Sequence, residues 1–351
     1  LDGDTWNRMP VPWRYRRDPQ DEVVAVRTAA GLYDISALNT LRVSGADAEA
    51  VIDRMVAIDV TRLRPGQARL AAIVNEQGAL TDDLMVVRDG EDRFRLSHGS
   101  GNTAEQLEEL AAGRKVNWEQ DYDIHILSLQ GPRSGDVLKK HIDIDLATLP
   151  YFEHRETRAF GIAVTVSRGG YSGEQGFELS CAKADVVALW DAILAAGAEF
   201  GTIPCSWESL DLARIEAALL FFPYDMPEGD TTPWEVKLGW MVDVDKKADY
   251  VGKDAVLAAR GKERFFQAGL VGHHDAAVAG GARVFAGGNE VGVVTSAIFS
   301  RYLMKSIALV HLDPGFNALG VAVEVEGEGG RHRAVVSQTP FYDPMRLRAR
   351  V

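Results

Sequence analysis

The chain predicts a mixed α+β fold that ends in a small C-terminal β-barrel, and three observations carry that prediction. Its 351 residues exceed what one ordinary hydrophobic core organises, so two or three domains are expected. Up to about residue 260, strand and helix patterns interleave without a strict β-α-β-α order, which favours mixed layers over a doubly wound sheet. Beyond residue 262, short apolar runs are separated by glycine turns with no convincing helix, the pattern of a small barrel or sandwich. The expected division is 1–260, two interleaved α+β domains, and 261–351, the barrel.

The elements follow from local patterns. Residues 21–31 read as a helix stopped at Gly31, followed by a short strand. Leu41 to Gly45 is a strand and turn, and Asp47 opens a helix that puts Val51, Ile52 and Met55 on one face. Ala71–Val74 and Leu80–Arg88 flank the turn Asn75-Glu76-Gln77-Gly78 and form a hairpin. Phe94–Ser97 is a further strand, and Asn102 followed by Glu105 resembles a capping box. Strands at 124–129, 162–167 and 177–181 alternate with helices near 134–141, 184 onward and 206–220. Five strands are expected in the last region: 282–286, 291–295, 307–310, 321–325 and 333–337.

Bulk chemistry excludes several function classes. A formal net charge of −13 argues against a nucleic-acid partner, which would need a basic face. No run of 18 apolar residues occurs, so no membrane span is expected, and the acidic, polar start does not read as a signal peptide. Only Cys181 and Cys205 are present, without metal-type histidine spacing, so neither zinc site nor disulfide framework is expected. The adjacent His273 and His274 point in different directions on any regular element, so no shared metal is expected there. These features point to a cytoplasmic, reduced environment.

The chemistry concentrates at Gly170-Tyr171-Ser172-Gly173-Glu174-Gln175-Gly176-Phe177-Glu178-Leu179. Three glycines and a turn serine force a tight bend, after which an acidic residue opens a strand. This run resembles the G-Y-[ST]-G-E-x-G-x-E signature of the aminomethyltransferase family typified by the glycine-cleavage T-protein. Other segments resemble the same family in the same order: Ala30-Gly31-Leu32-Tyr33-Asp34-Ile35-Ser36, Asn75 to Leu84, Leu129-Gln130-Gly131-Pro132, Arg214-Ile215-Glu216-Ala217 and Thr232-Pro233-Trp234-Glu235. Asp249 to Lys253, Val291 to Ser296 and Pro340-Phe341-Tyr342 complete the series. One departure is Ala79, where the family has a second glycine. The resemblance implies three domains in a ring around a central folate channel, with tetrahydrofolate as the cofactor.

Site residues are implied by the same resemblance. Glu178 matches the pterin-binding glutamate. Its carboxylate is suited to the two adjacent N–H donors of a 2-amino-4-oxo pterin edge, whereas Glu174 reads as a turn residue. Asp83 matches the aspartate implied to sit near N5 and N10 of tetrahydrofolate. Asp82 is its alternative, since neighbouring strand residues face opposite ways. Arg214 lies on a helix with an apolar stripe and reads either as a buried ion-pair anchor or as a folate contact. Tyr171 and Tyr342 fall at cofactor-side positions and Tyr33 at a substrate-side one; each reads equally as packing. His98 stands where T-proteins carry V-N-A and is a candidate acid–base or a structural histidine. Trp13 and Tyr15, in Pro10-Val11-Pro12-Trp13-Arg14-Tyr15, offer aromatic groups for a substrate pocket or for packing.

Three functions compete under this resemblance. A folate-dependent demethylase or C1 transferase would take a methyl or methylene group from a small N-, O- or S-methylated donor. A glycine-cleavage T-protein would take an aminomethyl group from a lipoyl carrier, a partner expected only in that case. A non-catalytic folate-binding protein is disfavoured, because its K-G-C-[FY]-x-G-Q-E motif is replaced here by Lys247 to Asp254, which lacks cysteine. Leu210 stands where T-proteins carry a folate-binding arginine, and Ala37-Leu38 replaces their H-M. Both departures favour the demethylase branch.

Overall fold

The computed structural model describes residues 2–7 and 9–350. The chain opens with a hairpin of β1 (Asp2–Trp6) and β2 (Met9–Arg14), then α1 (Pro19–Thr28), β3 (Gly31–Asp34), β4 (Asn39–Ser44) and α2 (Ala48–Met55). A meander follows: β5 (Ala68–Val74), β6 (Leu80–Arg88) and β7 (Arg93–His98), with α3 (Thr103–Ala111) and β8 (Asn117–Gln120) after it. Next come β9 (Ile124–Gln130), α4 (Ser134–Leu138), β10 (His154–Ala159), β11 (Ile162–Arg168), β12 (Gly176–Ala182) and α5 (Val186–Gly197). The short β13 (Ile203–Pro204), α6 (Trp207–Glu216) and α7 (Lys253–Ala259) lead to β14 (Phe266–Gly272), β15 (Arg283–Ala286) and β16 (Asn289–Ser300). The chain closes with β17 (Lys305–Leu312), β18 (Ala322–Gly327) and β19 (Gly330–Ser337).

These strands form two open sheets and a barrel. One sheet has the order β10-β11-β12-β9-β3-β13 and the other β5-β6-β7-β4-β8; β14-β17-β16-β15-β18-β19 close into the barrel. The barrel thus has six strands where five are expected, the extra one being β14. Each sheet buries one face on helices. In the five-stranded sheet, Leu41, Leu84, Val86, Phe94 and Leu96 pack with Ile52 and Met55 of α2. In the six-stranded sheet, Leu127, Leu129, Phe177 and Leu179 pack with Leu189 and Ile193 of α5. Each such buried side chain contributes on the order of 1.5–3 kcal/mol.

Buried ions tie these units together. Arg27 of α1 is 1% exposed. Its Nε and Nη2 donate to Glu216 Oε2 at 3.0 and 2.9 Å, and its Nη1 donates to the Ser172 carbonyl at 2.7 Å. Glu216 Oε1 accepts from Ser300 Oγ of the barrel at 2.5 Å. Glu174 accepts from Tyr342 and, at 3.0 Å, from Arg348 Nε. The sequence reading of Glu174 as a simple turn residue is therefore corrected: it is 3% exposed and anchors the C-terminal segment to the glycine-rich bend. Removing one partner of such a network leaves a buried charge uncompensated. Arg27→Met is expected to cost about 3–5 kcal/mol in urea unfolding; a cost below about 1 kcal/mol would show that the network does not hold the units together.

Candidate functional site

Strand register decides which acidic residues share a cleft. In β6, Leu80, Asp82, Leu84 and Val86 are buried, while Asp83, Met85 and Val87 are half-buried on the other face. Val87 pairs with Arg95 of β7. In β12, Glu178 pairs with Ser128 and Ser167, and Ser180 lies on the same face two residues on. Arg42 and Arg95 from one sheet, and Ser180 and Thr165 from the other, line a single cavity of about 890 Å³. Asp83 and Glu178 do not line this cavity themselves; they lie on the sheet faces that do, Glu178 two residues before Ser180 and Asp83 four residues before Val87, whose register partner is Arg95. At the cavity's rim Asp89 bridges the sheets, accepting from Arg95 Nε at 2.7 Å and lying 3.0 Å from His154 Nε2 of β10.

Both cleft carboxylates are desolvated. Burial alone pushes Glu178 up from 4.5 to about 7. No hydrogen bond or ion pair reaches its carboxylate among the described residues. Asp83 rises from 3.8 to about 7, first through burial and second through the negative charge of Asp82. A carboxylate held without donors is a group waiting for donors from a ligand, and a pterin edge supplies two. The residues present thus fit the folate that the motifs imply.

The glycine-rich bend explains how Glu178 and Tyr171 are placed. The Gln130 side chain sits inside the bend, donating to Ser128 Oγ at 2.9 Å and to the Gly169 carbonyl at 3.0 Å, and accepting from Ser172 Oγ at 2.6 Å. A Cβ at Gly170 (φ +151°) or Gly176 would fall 2.1 or 2.2 Å from the Gln130 amide. Glycine is required there so that the loop can close on that amide and release Gly176 into β12. Tyr171 donates its hydroxyl to the Leu220 carbonyl. Burial pushes that phenol far above its ordinary value, with Arg214 opposing and Asp83 reinforcing the shift. The charge of Asp83 is thus one of those that act on the Tyr171 phenol.

Other expected site residues lie elsewhere. His98 pairs with Leu84 in register and so faces away from Asp83; it is 5% exposed, with Nδ1 3.0 Å from Asp82 Oδ2. Its side chain thus lies on the opposite face of the sheet from Asp83. Arg214 donates to Asp211 (2.8 Å), the Leu219 carbonyl (3.3 Å), Asp225 and Ser296 Oγ (2.9 Å), which makes it an ion-pair anchor between α6 and the barrel. Tyr342 is packed beneath Arg27, 3.9 Å from its ring centroid, and bonded to Glu174, which takes it out of the cofactor site. Tyr33 is fully buried, with its hydroxyl 3.5 Å from Ser209 Oγ, and has no surface for substrate. Trp13 is 41% exposed on the N-terminal hairpin. Tyr15, half-buried, is pushed up to about 12 by burial and by Asp34 and Glu22. Among the described residues no hydrogen bond or ring contact joins either to the cleft carboxylates.

Sequence reasoning missed an aromatic group close to Tyr171. Trp6 meets Trp207 edge-on at 4.8 Å and Phe221 at 5.5 Å, and Phe221 follows the Leu220 carbonyl that Tyr171 holds. Its members are 201 or more positions from Trp6 along the chain, so no local pattern announces it.

With this geometry in place, the comparisons with known proteins are direct. The GCVT N-terminal domain matches residues 4–246, and the glycine cleavage T-protein C-terminal barrel domain matches residues 267–343. The chain belongs to the glycine-cleavage T-protein family, a family of aminomethyltransferases and demethylase subunits. It is 38% identical over 350 residues to the heme-dependent oxidative N-demethylase gamma subunit of Ectopseudomonas mendocina (strain ymp), covering 97% of this chain and 92% of that one. It is 36% identical over 332 residues to the aminomethyltransferase of Geobacillus sp. (strain WCH70), covering 92% and 90%. The glycine cleavage system aminomethyltransferase T from Bartonella henselae superposes with a TM-score of 0.89 at 27% identity, covering 98% of this chain and 94% of that structure. The α+β fold with its C-terminal barrel is that of the T-protein. Among the described residues no helix is long and apolar enough to cross a membrane, and no cluster of three metal-type side chains occurs.

The strained carboxylates give a stability prediction. Glu178 binds its proton more tightly folded (about 7) than unfolded (4.5), so stability falls as pH rises through that window and stays low above it. Glu178→Gln should therefore stabilise the ligand-free protein at pH 8 by on the order of 1–3 kcal/mol, with the gain vanishing near pH 4. Thermal unfolding of both proteins across that range measures it, and an equal Tm at pH 8 would contradict the desolvation argument.

Proposed function

We propose that this protein is a tetrahydrofolate-dependent one-carbon transferase of the demethylase branch, taking a methyl or methylene unit from a small methylated donor. The observation that carries the reading is a pair of desolvated carboxylates, Glu178 with no donor among the described residues and Asp83 with only its own backbone N–H, on the two sheet faces whose other residues line one cavity. Tetrahydrofolate, when bound, supplies the amine nitrogens that accept the one-carbon unit. Glu178 holds the pterin edge by accepting its paired N–H donors, a charge-assisted contact that also relieves the carboxylate's own desolvation. The Asp83 carboxyl, poised near neutrality, gives up its Oδ proton to a departing oxygen or nitrogen and takes one back, as a general acid–base must. Tyr171 closes the loop side of the site and, held on the Leu220 carbonyl, keeps the bend in one position.

The choice of branch has support beyond the cleft. Leu210 and Ala37-Leu38 depart from the T-protein pattern, and the 38% relative is named as one subunit of an oxidative N-demethylase. By that likeness the donor here is an N-methylated amine oxidised on another chain, so that the carbon arrives at the methylene level.

The test supplies carbon at that level directly. With tetrahydrofolate and formaldehyde, the protein should accelerate formation of 5,10-methylenetetrahydrofolate over the spontaneous reaction. Asp83→Ala should remove about 100-fold of that acceleration while folate affinity stays within a few-fold, and Glu178→Ala should weaken folate binding in calorimetry. If neither formaldehyde nor a methylated amine is used while a lipoyl-bound aminomethyl group is, the aminomethyltransferase reading replaces this one.

A further inference from the structure

The far face of β6 carries a buried polar cluster that the proposed reaction does not touch. Asp82 is 0% exposed. Its Oδ1 accepts the backbone N–H of Asp83 at 2.9 Å. Its Oδ2 accepts from Thr103 N at 3.2 Å and from the Thr103 hydroxyl, and lies 3.0 Å from His98 Nδ1. The start of α3 is thus capped by a strand residue 21 positions earlier, while Asn102, at the N-cap position, makes no side-chain cap bond. The backbone also closes tightly over this carboxylate: a Cβ at Gly101 would lie 2.2 Å from Asp82 Cγ.

We propose that Asp82 and His98 are positioning residues, which fix Asp83 from behind and set how readily its carboxyl takes up a proton. The inference rests on the reading of Asp83 as the acid–base of the cleft. Three features of the geometry support it. Asp82 grips the amide of the residue whose side chain enters the cleft, so the rotation of that peptide is fixed from the buried side. Its negative charge, shielded from water, disfavours a second negative charge on the neighbouring residue. His98 Nδ1 lies within ion-pair distance of the same oxygen that caps α3 although neither ring nitrogen makes a hydrogen bond, so the ring limits the Asp82 carboxylate's freedom to turn away by occupying the space beside it. Among the described residues, three side chains besides Asp82 are tied to this arrangement. β7 contributes His98, α3 contributes the uncharged Thr103, and across the cleft Tyr171 is the group coupled to Asp83, itself under the influence of Arg214, Asp225 and Asp211.

The experiment reads Asp83 directly. In the full-length ligand-free protein, its side-chain carboxyl is titrated by carbon-detected NMR in the wild type, Asp82→Asn and His98→Gln. Removing the Asp82 charge should lower the Asp83 midpoint by about 1 pH unit or more, and the pH profile of turnover should move in the same direction. His98→Gln, which keeps a polar side chain of similar reach beside Asp82, should leave the midpoint within about 0.3 unit, whereas His98→Ala should reduce kcat about 10-fold with KM for tetrahydrofolate nearly unchanged. An Asp83 midpoint that stays put in Asp82→Asn overturns the proposal. Should Asp82→Asn not fold, a His98→Ala protein with wild-type kcat overturns it equally. A midpoint that moves while turnover is indifferent to Asp83 would instead refute the acid–base role and leave the coupling standing.

Discussion

The arrangement depends most on a charge buried where three parts of the chain meet. Arg27 leaves α1, enters a space closed to water, and finds Glu216 of α6 on one side and the Ser172 carbonyl of the glycine-rich bend on the other. Desolvating a guanidinium is costly unless each N–H finds an acceptor, so this side chain permits one docking geometry and penalises others. The neighbouring Glu174 extends the constraint to Tyr342 and Arg348, and Glu216 extends it to Ser300 of the barrel. Two residues earlier on α6, Arg214 repeats the device with Asp225 and Ser296. One helix thereby holds the barrel through two separate ion networks.

What this scaffold positions is a pair of carboxylates in the least comfortable setting the fold offers. Glu178 emerges from a bend wrapped around the Gln130 amide and anchored at Glu174; Asp83 emerges from a strand whose far face is clamped at Asp82. Among the described residues Glu178 finds no donor and Asp83 finds only its own backbone N–H, so burial leaves each holding its proton more tightly than usual. Such destabilised groups persist only because the surroundings over-determine them, and they are expected at sites where binding or proton transfer is the purpose. The ion networks and the cleft thus divide the charges: the paired ones hold the units together, and the desolvated ones are left for the ligand that the proposed function requires.

Much of this was legible in the residues and some of it was not. The hairpin strand Leu80–Arg88 matches β6 at both ends because its turn and its alternation agree. The glycine spacing announced the bend, and its match to a known signature announced Glu178. Sequence alone left Asp82 and Asp83 as alternatives, because the choice depends on which face of β6 the helices cover, and that is decided by pairing with β7. The same register turned His98 inward. Arg214 was readable as an anchor, but its acceptors on the barrel were not, since Ser296 lies 82 positions away. Glu174 looked inert for the same reason, with its partners 147 to 174 positions distant. Two of the strands missed are polar: β8 reads Asn-Trp-Glu-Gln and β10 His-Arg-Glu-Thr-Arg-Ala, compositions that suggest loops until a neighbouring strand supplies the ladder.

The most direct test of the account is a crystal structure of the protein soaked with tetrahydrofolate. The account predicts the pterin ring between the two sheets, with both Glu178 carboxylate oxygens within hydrogen-bond distance of its 2-amino and ring N–H groups. A folate found outside that cleft, or inside it with Glu178 turned away, would contradict the claim from which the rest follows.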